Sequence, residues 1–161
     1  MKGDDFTIIS GGQTGADRAA LDFAIAHHIR HAGWCPKGRL AEDGPISFIY
    51  QLCETPSDRY AERTEWNIRD SDATAVFSIS VEVHGGTALT LQLAKRLGKP
   101  WLHLARDHCD HGAGEPSTRL CNFLQQYEVT RLNVAGPRQS RGPDIGEFVN
   151  QVLAGTFLRR A

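Results

Sequence analysis

The chain has 161 residues, enough for one compact domain with a sizeable core. Its 18 Lys and Arg against 19 Asp and Glu leave a net charge of −1. That balance argues against a protein built to grip duplex nucleic acid, where basic excess supplies most of the affinity. Arg outnumbers Lys among the cations, and its planar fork suits phosphate and other oxyanions, so a small anionic ligand stays open beside a mere compositional habit of the genome.

In chain order, FTIIS (6–10) reads as a first strand and Gly11 to Gly15 as a turn. A helix from about Asp17 to His31 follows, with Leu21, Ala24, Ile25 and His28 at i, i+3, i+4 and i+7 on one face. HAGWCPKG (31–38) holds a short second strand that ends at Pro36, and 40–57 is irregular and long for a connection. Ser57 or Asp58 caps a helix to about Asp70, and ATAVFSI (73–79) is a buried central strand. HGGTALTLQLAKRLGKP (84–100) repeats the opening grammar of strand end, glycines, threonine and helix, and stops at Gly98. PWLHLA (100–105) is a strand, 106–117 a loop, 118–127 a helix and TRLNVAG (130–136) a strand. The last helix starts near Asp144, with Ile145, Phe148, Val149, Val152 and Leu153 as its apolar face.

The alternation predicts a single Rossmann-like α/β domain over 1–161: an open, mostly parallel five-stranded sheet with helices on both faces. No apolar run approaches the roughly 20 residues that span a bilayer, and MKGDDFTIIS lacks the basic start and long apolar stretch of a signal peptide. Cys35, Cys53, Cys109 and Cys121 are widely spaced and read as reduced thiols of a cytoplasmic protein.

Ligands of such sheets bind beyond the C-terminal strand ends, where strand order reverses. Two glycine turns are candidates there, Gly11–Gly15 and Gly85–Thr87, each with a threonine (Thr14, Thr87) at a helix start. Neither matches GxGxxG or GxxxxGK[ST]. A helix N-terminus contributes at most about 2 kcal/mol to an anion, and micromolar binding needs about 8 kcal/mol, so cations must supply the rest. Lys37 and Arg39 are placed on the rim over the first glycine loop, with two solvated surface cations as the competing reading. Arg63 and Thr64 form a further pair, against a surface ion pair with a neighbouring acid. His108, Cys109, Asp110 and His111 read as an exposed polar loop rather than a metal site, since adjacent side chains cannot all face one ion. Cys35 reads as a core residue rather than a metal ligand, and His27, His28 and His31 as partners of a helix C-terminus.

SGGQTGADRAALDFAI, GWCPKGRLAEDGPI, Y-x-L-x-E-T (50–55), ERTEWNIRDSD (62–72) and HGGTALT (84–90) occur together and in order. With them the chain resembles the molybdenum carrier proteins, a branch of the Rossmann-like LOG/SLOG superfamily, from about residue 6 to 104. The resemblance implies binding, storage or protection of molybdenum cofactor, a phosphorylated pterin with an oxyanionic molybdenum centre, or of molybdate or another oxyanion. It implies that Gly11, Gly12, Gln13, Thr14 and Gly15 form one anion loop, Lys37, Gly38 and Arg39 the rim, and Gly85, Gly86 and Thr87 a second loop. It also implies a cytoplasmic homo-oligomer with molybdoenzymes as acceptors. The alternatives are a LOG-like phosphoribohydrolase acting on a nucleoside monophosphate and a nucleotide-sensing domain. The hydrolase motif PGGxGTxxE is not matched, because Leu91 and Gln92 stand where its acid would be sought. Cleavage would then fall to Glu65, Asp70 or Asp72, and Asp70-Ser71-Asp72 reads as a turn.

Overall fold

In the computed structural model, which describes residues 5–107 and 114–158, the apolar runs become short parallel strands. The order is β1 (Thr7–Ile9), α1 (Ala16–Ala26), β2 (Arg30–Ala32), β3 (Trp34–Cys35), β4 (Cys53–Glu54), α2 (Tyr60–Arg69) and β5 (Ala73–Ser78). Then come α3 (Gly85–Arg96), β6 (Trp101–Ala105), α4 (Pro116–Gln126), β7 (Arg131–Ala135), a 3-10 turn at Gln139–Arg141 and α5 (Ile145–Phe157).

The main sheet has five parallel strands in the order β2-β1-β7-β5-β6. The last strand of the chain therefore lies at the centre, with Ile8 beside Leu132 and Ala75 beside Val134. Counted from β7 and carried on through β1, the order becomes 3-2-1-4-5, the Rossmann arrangement with its chain opened after the first strand. The reversal point falls between β7 and β5.

Every residue of β5 is buried, as a strand covered on both faces must be. Ala73, Ala75 and Phe77 face the larger core, where Phe77 meets Phe148 of α5 edge-on at 5.8 Å. That core holds α1, α4 and α5. On the other face α2 packs on α3 through Ile68, Leu93 and Ala94. The expected apolar face of α5 is buried at all five positions.

Three boundaries differ from the sequence reading. The first helix stops at Ala26 rather than His31: His28 turns back with φ +56° and the Ile29 amide closes onto the Ala24 carbonyl. Ile25, still within the helix, and His28 beyond it are both exposed, and Phe23 takes the buried position against Phe157. His31 belongs to β2, where its Nε2 accepts the Gln51 amide, so it is no partner of the helix terminus. Trp34–Cys35 pairs with Cys53–Glu54 in a separate two-stranded sheet, so the segment expected to be irregular contributes a strand. Gly33 makes the break between β2 and β3, with φ +148° and the Ser10 carbonyl 1.9 Å from where a Cβ would sit.

Candidate functional site

The C-terminal ends of β1, β7 and β5 open into a cleft of about 690 Å³. This is within the roughly 300–1,000 Å³ of small-molecule sites. Four segments line it: Gly11, Gln13 and Asp17 after β1; Tyr60, Arg63, Thr64 and Asn67 on α2; the stretch from Ser78 into the first turns of α3; and Asn133 to Arg138 with Arg141 after β7.

The first glycine loop is closed on itself. The Gln13 amide donates to Asp17 Oδ2 at 3.3 Å, the Thr14 amide to Gln13 Oε1 at 3.0 Å and the Arg18 amide to the Gln13 carbonyl. The Ala16 amide donates to the Pro137 carbonyl at 3.1 Å. Its glycines serve packing: a Cβ on Gly15 (φ +82°) would lie 2.4 Å from the Pro137 oxygen, and one on Gly12 (φ +79°) 2.7 Å from Leu52. Thr14 Oγ1 donates to Glu42 and accepts from the Gln139 amide. Gly12, Thr14 and Gly15 are thus behind the cleft wall, and Gly11 and Gln13 are on it.

Arg63 lies against Gly11 with only 11% of its side chain exposed, and its Nη1 is 3.2 Å from Asp17 Oδ2. Burial pushes the Asp17 carboxyl above the usual carboxylate range, although Arg63, the Gln13 amide and Arg18 pull the other way. The Gln13 Nε2 and Arg63 Nε atoms are buried without a hydrogen-bond partner. Because Gln13 Oε1 is held by the Thr14 and Glu42 amides, the orientation of that amide is set. Tyr60 links Arg63 to the far wall: the Arg63 and Arg138 guanidinium carbons each lie 5.4 Å from its ring centre. Thr64 keeps its hydroxyl on the Tyr60 carbonyl.

The second glycine turn is open. His84 precedes α3 without a side-chain cap, and the first turn carries no acid. A Cβ on Gly85 (φ +54°) or Gly86 would meet nothing within 4 Å, so the helix N-terminus faces free space in the cleft. Four orphan amides and the helix dipole favour an anion there.

Lys37, Gly38 and Arg39 do not line the cleft, so the rim placement is corrected. Lys37 is exposed elsewhere and Gly38 donates its amide to Glu54 at 2.6 Å. Arg39 is 6% exposed and clamps a loop: it donates to the carbonyls of Ile46, Ser47 and Tyr50, each at 2.8 Å, and of Leu52 at 3.3 Å. The cations that do line the cleft beside Arg63 are Arg138 and Arg141, which the sequence reading did not single out. AGPRQSRG repeats a glycine after a strand, the same signal as in the other two turns, and only the central place of β7 makes it count.

The acids considered for cleavage point away. Glu65 pairs with Arg96, Asp70 takes the Trp34 indole N–H at 2.7 Å, and Asp72 caps the Thr130 and Arg131 amides. Asp17 and Glu82 are the acids on the lining among the described residues. Leu91 and Gln92 lie beyond it on α3. Cys35 is fully buried, and burial pushes its thiol up. His108, Cys109, Asp110 and His111 fall outside the described residues.

No curated protein matches the chain. Among solved structures, a "putative molybdenum carrier protein" from Syntrophus aciditrophicus SB is 44% identical, with 94% of each chain covered and a TM-score of 0.89. The circularly permutated YpsA SLOG family matches residues 8–157, and its description agrees with a sheet whose first Rossmann strand is supplied by the end of the chain. The chain belongs to the circularly permutated YpsA SLOG family.

Proposed function

We propose that the protein binds and carries molybdenum cofactor in the cleft over β1, β7 and β5, with the phosphate at the N-terminus of α3 and the oxyanionic molybdenum end toward Gln13 and Arg63. The observation that carries this reading is the convergence of Arg63, Arg138 and Arg141 with an uncapped helix end on one cleft. The two ends differ in character. At α3 the uncapped helix start has open space beside Gly85 and Gly86, with Thr87 also on the lining, which suits a tetrahedral dianion. At β1 the Arg63 charge is largely met by Asp17, and the unpartnered donors are one amide and one guanidinium nitrogen. Such a site, with Gln13 and Arg63 on its wall and the Arg63 charge largely met by Asp17, suits oxo or amide acceptors of lower charge density. The name of the Syntrophus structure supports a molybdenum-related cargo.

In this reading the chain works in the cytoplasm as a homo-oligomer and hands its cargo to molybdoenzymes. No helix among the described residues is long and apolar enough to cross a membrane. Phe48 and Ile49, 84% and 64% exposed, offer an apolar contact for another copy or an acceptor.

The second reading is nucleotide binding, with or without N-glycosidic hydrolysis, which the same phosphate end would serve. Asp17 or Glu82 would then have to be the carboxylate. Equilibrium binding of molybdenum cofactor to the purified protein, with adenosine monophosphate in parallel, decides between them. Saturable micromolar cofactor binding that Arg138→Ala weakens supports the carrier. Nucleotide binding without cofactor binding overturns it, and release of a free base identifies the hydrolase.

A further inference from the structure

Glu42 lies outside the cleft, yet it touches the segment that carries two of the cleft's arginines. One carboxylate oxygen accepts the Thr14 hydroxyl and the Ser140 amide, the latter at 3.0 Å, and the other accepts the Ser140 hydroxyl at 2.6 Å. Thr14 Oγ1 in turn accepts the Gln139 amide at 3.1 Å. Glu42 is itself held from behind, because its amide donates to Gln13 Oε1 at 2.9 Å. Three segments remote in sequence thus meet at one side chain: the first glycine loop, the loop after β3 and the turn after β7.

Gln139 and Ser140 are flanked by Arg138 and Arg141, both on the cleft lining. The turn between them is a single 3-10 turn, and its two residues bonded to the latch are exposed. A short exposed turn of this kind opens readily unless side chains hold it. From this bonding pattern we infer that Glu42 is a positioning residue: its carboxylate latches the turn after β7 so that Arg138 and Arg141 stay directed at the anionic ligand. The inference rests on the cleft being the ligand site, but the latch itself is tested without ligand.

Trypsin reads the latch directly, because Arg138 and Arg141 are among its cleavage sites and cleavage at these two bonds is resolved by mass spectrometry of the fragments. In the ligand-free full chain, Glu42→Ala is expected to raise cleavage at these two bonds by about tenfold, as local opening becomes easier. Glu42→Gln, which keeps an acceptor oxygen for the Ser140 amide, is expected to restore most of the protection. Should Glu42→Ala fail to fold, Ser140→Ala removes the outer bond alone and is expected to raise cleavage by a smaller factor. Unchanged cleavage in the folded variants overturns the latch.

Titration with molybdenum cofactor then tests what the latch acts through. Glu42→Ala is expected to weaken binding by about tenfold in the unaltered background and to have no effect in Arg138→Ala/Arg141→Ala. Equal weakening in both backgrounds overturns the inference that Glu42 acts through the arginines. Absence of cofactor binding by the unaltered chain would mark failure of the carrier reading, while the proteolysis still decides the latch.

Discussion

The Arg63 guanidinium occupies the space in front of Gly11: a Cβ at that glycine would lie 1.8 Å from Nη1. The pair explains why the loop needs glycine at a position with ordinary backbone angles. It also places a buried cation at the foot of the cleft, held by Asp17.

Gly11→Ala is expected to displace Arg63 and separate it from Asp17. Overpacking costs about 1–3 kcal/mol, and a disturbed buried ion pair places this variant toward the upper end. Urea denaturation gives the stability change, and cofactor titration is expected to show a parallel loss of affinity. A variant as stable as the unaltered chain would show that Arg63 relocates without penalty.

Asp17 sets a pH dependence. Its carboxyl lies above the ordinary value of 3.8 in the folded state, so the folded chain holds this proton more tightly than the unfolded chain. Its contribution to stability is therefore greatest at low pH and is lost as pH rises from about 3.8 through the folded-state value. Asp17→Asn removes that term. Denaturation midpoints measured from pH 4 to 8 are expected to show the difference between the two proteins shifting in favour of the variant as pH rises. A constant difference would exclude a raised Asp17.

Gly86→Asp separates stability from binding. A carboxylate in the first turn stabilises an exposed helix N-terminus by about 0.3–1 kcal/mol, and there is open space at this position. The same charge would repel an anion there. Thermal denaturation is expected to rise slightly while cofactor affinity falls at least about tenfold. Undiminished affinity would move the phosphate away from α3.

Lys37→Ala and Arg138→Ala form a contrasting pair. Lys37 is exposed and away from the cleft, so its loss is expected to leave cofactor affinity unchanged. Arg138 lines the cleft, and removing a charged hydrogen-bond donor costs about 1.5–3 kcal/mol of binding. Calorimetric titration distinguishes them, and the reverse result would restore the rim suggested by the GWCPKGR block.

Arg39→Lys is expected to destabilise by about 2–3 kcal/mol, because an ammonium lacks the planar fork that reaches four carbonyls. Denaturation measures the loss. Stability equal to that of the unaltered chain would show that the 46–52 loop does not depend on this clamp.

Local physics made much of the architecture legible. ATAVFS is apolar enough on both sides to be a central strand, Ile145 to Leu153 shows a helical period, and the glycine turns follow strand ends. These features depend on neighbours within a few residues, so composition and spacing carry them. The resemblance in the first two thirds of the chain likewise predicted the Rossmann-like sheet and the kinship with molybdenum carriers. Strand order is another matter, since it depends on contacts between residues far apart. Nothing in TRLNVAG says that it lies between β1 and β5. Only that placement brings Arg138 and Arg141 over the cleft. Arg39 shows the same limit in reverse. Its neighbours in sequence make it a plausible rim cation, and its neighbours in space are four carbonyl oxygens that bury it. A guanidinium binds whichever acceptors the fold presents, so the sequence determined which groups could bind an anion, and tertiary packing decided which remained available for one.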